Sequence, residues 1–265
     1  MRTSEDWSEL GFDDIRVVRE GAVAVVTIDA PPVNAFTLDR YRHLTQVFKS
    51  LTELTELNCV VLTAQGQKAF CAGLDLHEFL AAPVEADSER QAIGLATFVE
   101  ISKCPVPVIC AINGPALGAG AVFASLCDIR VMADHSTLGL PEITVGRCGG
   151  AAYVSRWVPQ GTVRQMFFTG EPISAVEAHR IGFAQHVVPA GDLQNFALDL
   201  ATRIAANSPL GLRYGKRALD EAEHLPPHDG YAVEQGYSTM LLKTDDSREA
   251  LRSVVEKRRP MFRGR

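Results

Sequence analysis

The sequence predicts one α/β domain that continues into a helical C-terminal extension. Short apolar runs rich in β-branched residues recur through the first half, and amphipathic helical patterns lie between them. Beyond Glu142 the strand signals thin out while helix-like stretches continue to the end. No glycine-serine linker divides the halves and no repeat of solenoid length stands out. The α/β core is therefore expected over residues 1–200 and the helical region, part of the same functional unit, over 201–265.

Taken in order, IRVV and VAVVTID flank Glu20-Gly21, and two β-rich runs joined by a short glycine turn predict a hairpin. Leu38, Tyr41, Leu44, Phe48, Leu51 and Leu54 then recur at spacings of three and four, predicting an amphipathic helix over 37–57. CVVLTA from Cys59, VPVICAI from Val106 and IRVM from Ile129 are too short for helices and predict three buried strands, with parallel pairing. Helices are expected between them at 88–103 and 119–127. FAQHVV from Phe183 is a further strand signal, and helices are expected at 193–207, 209–223 and 247–257.

The bulk properties remove several function classes. A chain of 265 residues that is 46% hydrophobic and 22% charged can bury a core without disulfide or metal support. Its net charge of −6 argues against a nucleic-acid partner. The clearest basic run, Lys257-Arg258-Arg259, taken alone reads as a solvated helix end. The six cysteines form no CxxC pair and mostly sit in apolar segments, which fits a reduced, cytoplasmic setting. MRTSEDWSELGFDD has neither a signal-peptide nor a transit-peptide pattern, and no apolar run reaches the roughly 18 residues of a membrane span.

Three segments could carry chemistry. VVLTA leads to AFCAGLD, ending at Asp75, and VICAI leads to NGPALGAG, ending at Gly120. Glycines at such strand ends let backbone N–H groups approach a ligand, and the second turn opens a helix whose first amides are unpaired. Either turn alone could simply reverse the chain. TLGLPE places Glu142 after a Leu-Pro step in apolar surroundings, where burial would raise its pKa toward a useful acid-base range, although a loop glutamate in water has the same sequence.

Together KAFCAGLDLHEF, INGPALGAG followed by CDIR, TLGLPE and EKRRPMF resemble the enoyl-CoA hydratase/isomerase, or crotonase, family over about residues 15–262. The resemblance implies the ClpP/crotonase-like fold, a spiral of ββα units with a helical C-terminal trimerisation region. It implies an acyl-CoA thioester substrate, trimers often paired as hexamers, and no cofactor beyond the coenzyme A of the substrate. By the same resemblance the amides of Ala72 and Ala119 are the oxyanion donors and Glu142 the proton carrier. The backbone of Ala72, Gly73, Leu74 and Asp75 is expected to hold the adenine end of CoA, with Asn34, Ala35 and Lys68 nearby and Lys257 on the phosphate side. Asp75 is expected to fix its loop, whereas His77 and Glu78 read as a solvated loop, since no second histidine completes an HExxH metal site.

Two departures matter. The family's hydratases use two glutamates, and the first of those positions is Val122, which can neither hold nor deprotonate water. Moving one proton between two carbons needs only one base, so isomerase-like chemistry is favoured. Hydration or another lyase reaction with a different second group, such as the carboxylate of Glu100, and CoA-ester binding without catalysis are the alternatives. Ala119 stands where glycine is commoner, and it is expected to keep an ordinary helical φ. A ClpP-like serine peptidase lacks its serine between Ala119 and Val122, and GPALGAG does not match the dinucleotide-binding GxGxxG.

Overall fold

The computed structural model describes residues 7–265. The first part of the acidic N-terminal segment considered above, residues 1–6, lies outside the described residues. Strands β1 (Ile15–Glu20) and β2 (Val23–Ile28) form the expected hairpin, turning at Gly21 with φ +64°. Helix α1 (Leu38–Thr52) follows, capped by the Thr37 hydroxyl, which accepts from Arg40 N. It ends short of residue 57. Leu54 and Leu57 remain buried, but in a turn whose carbonyls accept from the Arg213 guanidinium at 2.8 and 3.0 Å.

Next come β3 (Cys59–Ala64), α2 (Leu76–Ala81), α3 (Asp87–Ser102), β4 (Val108–Ile112), β5 (Ala116–Leu117), α4 (Ala119–Leu126), β6 (Ile129–Ala133) and β7 (Thr137–Gly139). The remainder comprises α5 (Ala151–Val154), α6 (Gln160–Thr169), β8 (Ile173–Ser174), α7 (Ala175–Arg180), β9 (His186–Val188), α8 (Leu193–Ala205), α9 (Pro209–Ala222), α10 (Pro227–Leu241) and α11 (Asp245–Val255). The main sheet has the order β1-β2-β3-β4-β6-β9, parallel except for the opening hairpin. Among the described residues no helix is long and apolar enough to cross a membrane.

Burial on both faces explains why the central strands are apolar throughout. In β3, Val60 and Leu62 pack with Leu44 and Phe48 of α1 and Phe123 of α4, whereas Cys59 and Val61 face Leu193, Ala197 and Ala201 of α8. A second sheet, β5-β7-β8, was not foreseen; its strands of two or three residues are too short to show alternation. Helices α6 and α7 were missed as well, and so was α10. In α10 only Gly230 is buried, so it offers no apolar stripe. A side chain at Gly230 would stand 3.3 Å from Ala222 Cβ, so bare backbone lets α10 close onto α9.

Candidate active site

Packing of backbone on backbone brings the two glycine turns together. Phe70 N donates to Pro115 O at 3.0 Å and Leu117 N to Cys71 O at 2.9 Å, stitching the first turn to β5. At Gly120 a Cβ would lie 2.4 Å from Cys71 O, so any side chain there would force the turns apart. Gly118 takes a positive φ of +54°, which leaves Ala119 to start α4 without a positive φ, as expected.

The amides of these turns are not equally free. Ala72 N already donates to Val33 O at 3.1 Å. The expectation that Ala72 supplies an oxyanion donor is therefore corrected: its N–H is committed to the early loop. Two residues on, Leu74 sits opposite Phe36, where Phe36 N donates to Gly73 O and Asp75 N to Phe36 O. Alternation along the chain turns the Leu74 amide the other way, and among the described residues it has no hydrogen-bond partner. Ala119 N, in the first turn of α4, has none either. A Cβ on Gly73 would fall 3.4 Å from Leu117 O and 3.9 Å from Ala119 N, which brings the two free amides onto neighbouring stretches of backbone.

Glu142 lies in the short helical turn after β7, and its Oε1 is 3.2 Å from the point a Gly118 Cβ would occupy. Its Oε2 is enclosed and unpaired, and burial pushes the carboxyl above the usual carboxylate range. At Gly150, φ +75°, a Cβ would meet Val122 Cγ2 at 3.0 Å, Leu140 Cδ2 at 3.2 Å and Glu142 Oε1 at 3.5 Å. Val122 thus presents methyl groups beside the carboxyl.

The remaining expected site residues divide between scaffold and surface. Asn34, buried with φ 54°, accepts from Ala30 N and donates to Gln65 O and Ala69 O, so its side chain holds the early loop against the first turn. Ala35 O accepts from the Arg40 guanidinium. Lys68 is exposed beside that turn, and Lys257, φ 52°, is exposed past the end of α11. Asp75 caps α2, its Oδ1 accepting from His77 N and Glu78 N at 3.0 and 2.9 Å. The reading of His77 and Glu78 as a solvated loop is corrected, because both lie in α2. His77 is exposed, whereas Glu78 accepts from Leu38 N at 3.0 Å and pairs with Arg90 at 3.4 Å. Sequence reasoning also passed over Tyr41 and Arg90, which are buried near this site; the periodic spacing of Tyr41 marked it only as part of a helix face.

Unpaired amides and a half-buried carboxyl with one enclosed, unpaired oxygen, at the ends of parallel strands, form a site that can hold a carbonyl oxygen and move a proton beside it. The sequence model of the Enoyl-CoA hydratase/isomerase family matches residues 18–265, and the chain belongs to that family. It is 33% identical over 259 residues to the putative enoyl-CoA hydratase/isomerase YngF of Bacillus subtilis, covering 96% of this chain and 100% of that one. It is 32% identical over 252 residues to the short-chain-enoyl-CoA hydratase of Clostridium acetobutylicum, covering 94% and 97%. The enoyl-CoA hydratase structure from Bacillus anthracis superposes with a TM-score of 0.92 at 31% identity, covering 96% of this chain and all of that one. Pseudomonas aeruginosa DspI superposes with a TM-score of 0.91 at 30% identity, covering 99% and 100%. The expected crotonase fold with a helical C-terminal region is thereby established.

Proposed function

We propose that this enzyme binds an acyl-CoA thioester with its carbonyl oxygen between the amides of Leu74 and Ala119, and that Glu142 moves the proton on the adjacent carbon. The observation that carries the reading is the convergence of two unpaired amides and a half-buried carboxyl, one oxygen enclosed and unpaired, on one pair of glycine turns. Removing a proton beside the thioester places negative charge on its oxygen, and each amide aimed there is worth about 2.7–4 kcal/mol in the transition state. Double-bond migration is favoured: Glu142 takes the proton from the carbon next to the carbonyl and returns it two carbons further along. Val122 supports this by offering water no hydrogen bond on the side where a second carboxylate would stand. No cofactor is needed beyond the coenzyme A of the substrate.

The name of the Clostridium acetobutylicum relative favours hydration, and that second reading requires another group to hold the water. In either case the backbone of 72–75, with Lys68 and Lys257, is the proposed CoA contact. The exposed Leu251, Val254 and Val255 of α11 support a trimer or hexamer in which the C-terminal helices cover one another.

The test is turnover of 2-enoyl-CoA and 3-enoyl-CoA thioesters, with hydration and migration followed separately. Migration that Glu142→Gln abolishes supports the single-base reading. Hydration without migration transfers the assignment to the second reading, and CoA binding without turnover removes both.

A further inference from the structure

Two polar side chains beside the site are buried without the partners their chemistry calls for. Tyr41 is only 3% exposed, yet its hydroxyl makes no hydrogen bond among the described residues. Its ring packs on Phe36 at 5.0 Å, beside the strand that carries the Leu74 amide, and on Phe123 at 6.1 Å, the residue after Val122. Arg90, 6% exposed, has one hydrogen bond for its five N–H donors, a long one of 3.4 Å to Glu78 Oε2. Its guanidinium otherwise lies over the Phe79 ring at 5.1 Å.

Buried tyrosine hydroxyls and guanidinium groups normally find acceptors. The enclosed, unpaired side-chain atoms among the described residues are Trp7 Nε1, Asn58 Oδ1, Asn113 Oδ1, Arg130 Nη2 and Glu142 Oε2. Neither the Tyr41 hydroxyl nor Arg90 Nε and Nη2, which also lack a partner, belong to this set, so each keeps a small accessible surface. Burial first, then Cys71 and Glu142, push the phenol above its ordinary range while Arg90 pulls the other way. The hydroxyl therefore keeps its proton, and geometry brings Arg90 to the same helix: its partner Glu78 accepts from Leu38 N, one turn of α1 before Tyr41.

We propose that Tyr41 and Arg90 form a donor subsite in the acyl pocket, which takes a chain bearing an oxygen acceptor, a carboxylate or a hydroxyl, in preference to a plain alkyl chain. The inference rests on the acyl-thioester reading above. A plain alkyl chain would dehydrate both donors and give them nothing in return, whereas an oxygen acceptor would satisfy them in place. Sites built in this way discriminate against the analogue that lacks the acceptor.

The test uses the full chain and three saturated six-carbon CoA thioesters that differ only at the far end: methyl, hydroxyl or carboxylate. Calorimetric titration is expected to show one or both oxygen-bearing chains bound at least about tenfold more tightly than the methyl-ended one. That ratio is expected to shrink in Tyr41→Phe and in Arg90→Met and to be partly restored by Arg90→Lys. Free CoA titrated into each variant checks that the protein is folded, and if Arg90→Met fails there, Tyr41→Phe decides. Equal or tighter binding of the methyl-ended chain overturns the proposal, as does a preference that survives both substitutions. If neither CoA nor any thioester binds, the acyl-thioester reading falls and takes this one with it. A preference without turnover of enoyl thioesters leaves the subsite standing and removes only the reaction.

Discussion

The strand-end turns and the C-terminal helices of this chain solve burial in opposite ways. The turns are finished within one chain: Cys71, Leu117, Gly118 and Val122 have their backbone groups paired, and among the described residues the amides of Leu74 and Ala119 are left without a partner. Helix α11 is unfinished, with Leu251, Val254 and Val255 exposed along one helix. A region closed by its own hydrogen bonds can hold atoms in place for chemistry. A region that leaves apolar side chains in water is suited to receive another surface.

The largest effect is expected at the carboxyl that the finished region would use in the proposed reaction. Glu142→Gln keeps the shape of the side chain and removes the base, and a positioned acid-base group contributes about 10²–10⁴-fold. Enoyl thioester turnover should fall by that order while the unfolding midpoint stays close to that of the parent. A comparable loss of stability would mean that the carboxyl is structural, and the contrast between the two regions would weaken. Gly120→Ala tests closure itself. Its methyl group must displace Cys71 O from 2.4 Å, and overpacking against backbone costs about 1–3 kcal/mol or more. Urea unfolding should show a loss at the upper end of that range, together with lost turnover as the Ala119 amide shifts. A variant as stable as the parent would show that the turns are looser than their hydrogen bonds imply.

On the other side of the comparison, Val255→Asp should change the stability of an isolated chain by no more than about 0.5 kcal/mol, because the residue is exposed. The sedimentation coefficient should nevertheless fall, since a charge buried between helices of neighbouring copies is costly. An unchanged assembly would place the interface elsewhere and leave the α11 face without its proposed role.

The same contrast explains what was legible in the sequence. The Thr37 cap, the hairpin around Gly21 and the fully buried CVVLTA strand could be read because propensity, spacing and burial agree there. Glu142 could be located by motif, and its apolar setting made a raised pKa a reasonable expectation. The choice between Ala72 and Leu74 could not be made. It depends on Val33 coming alongside from nearly 40 residues away, and on which amide that contact uses up. Arg90 and Glu78 were likewise beyond reach, because their pairing spans α2 and α3 and neither helix shows a periodic polar face that announces it. Helix α10 lacks a stripe because its packing surface is glycine, which carries no side chain for a pattern to register.

The smallest effect concerns the cost of keeping Glu142 ready inside the finished region. Burial raises its pKa in the folded chain, while in the unfolded chain the carboxyl titrates in the ordinary range. The folded state therefore holds this proton more tightly. The stabilisation linked to it is complete below the unfolded pKa and is lost as pH rises through the folded one. Glu142→Gln has no such proton. The melting temperature of the parent relative to Glu142→Gln should thus be highest in acid and decline as pH rises through the weakly acidic range. Over that same interval the parent's kcat/KM should increase as the base ionises, with a midpoint above the ordinary carboxyl range. Thermal unfolding and initial rates over one pH series check both trends. Parallel melting curves would mean that the carboxyl is hydrated in solution, which would break the view of this region as closed.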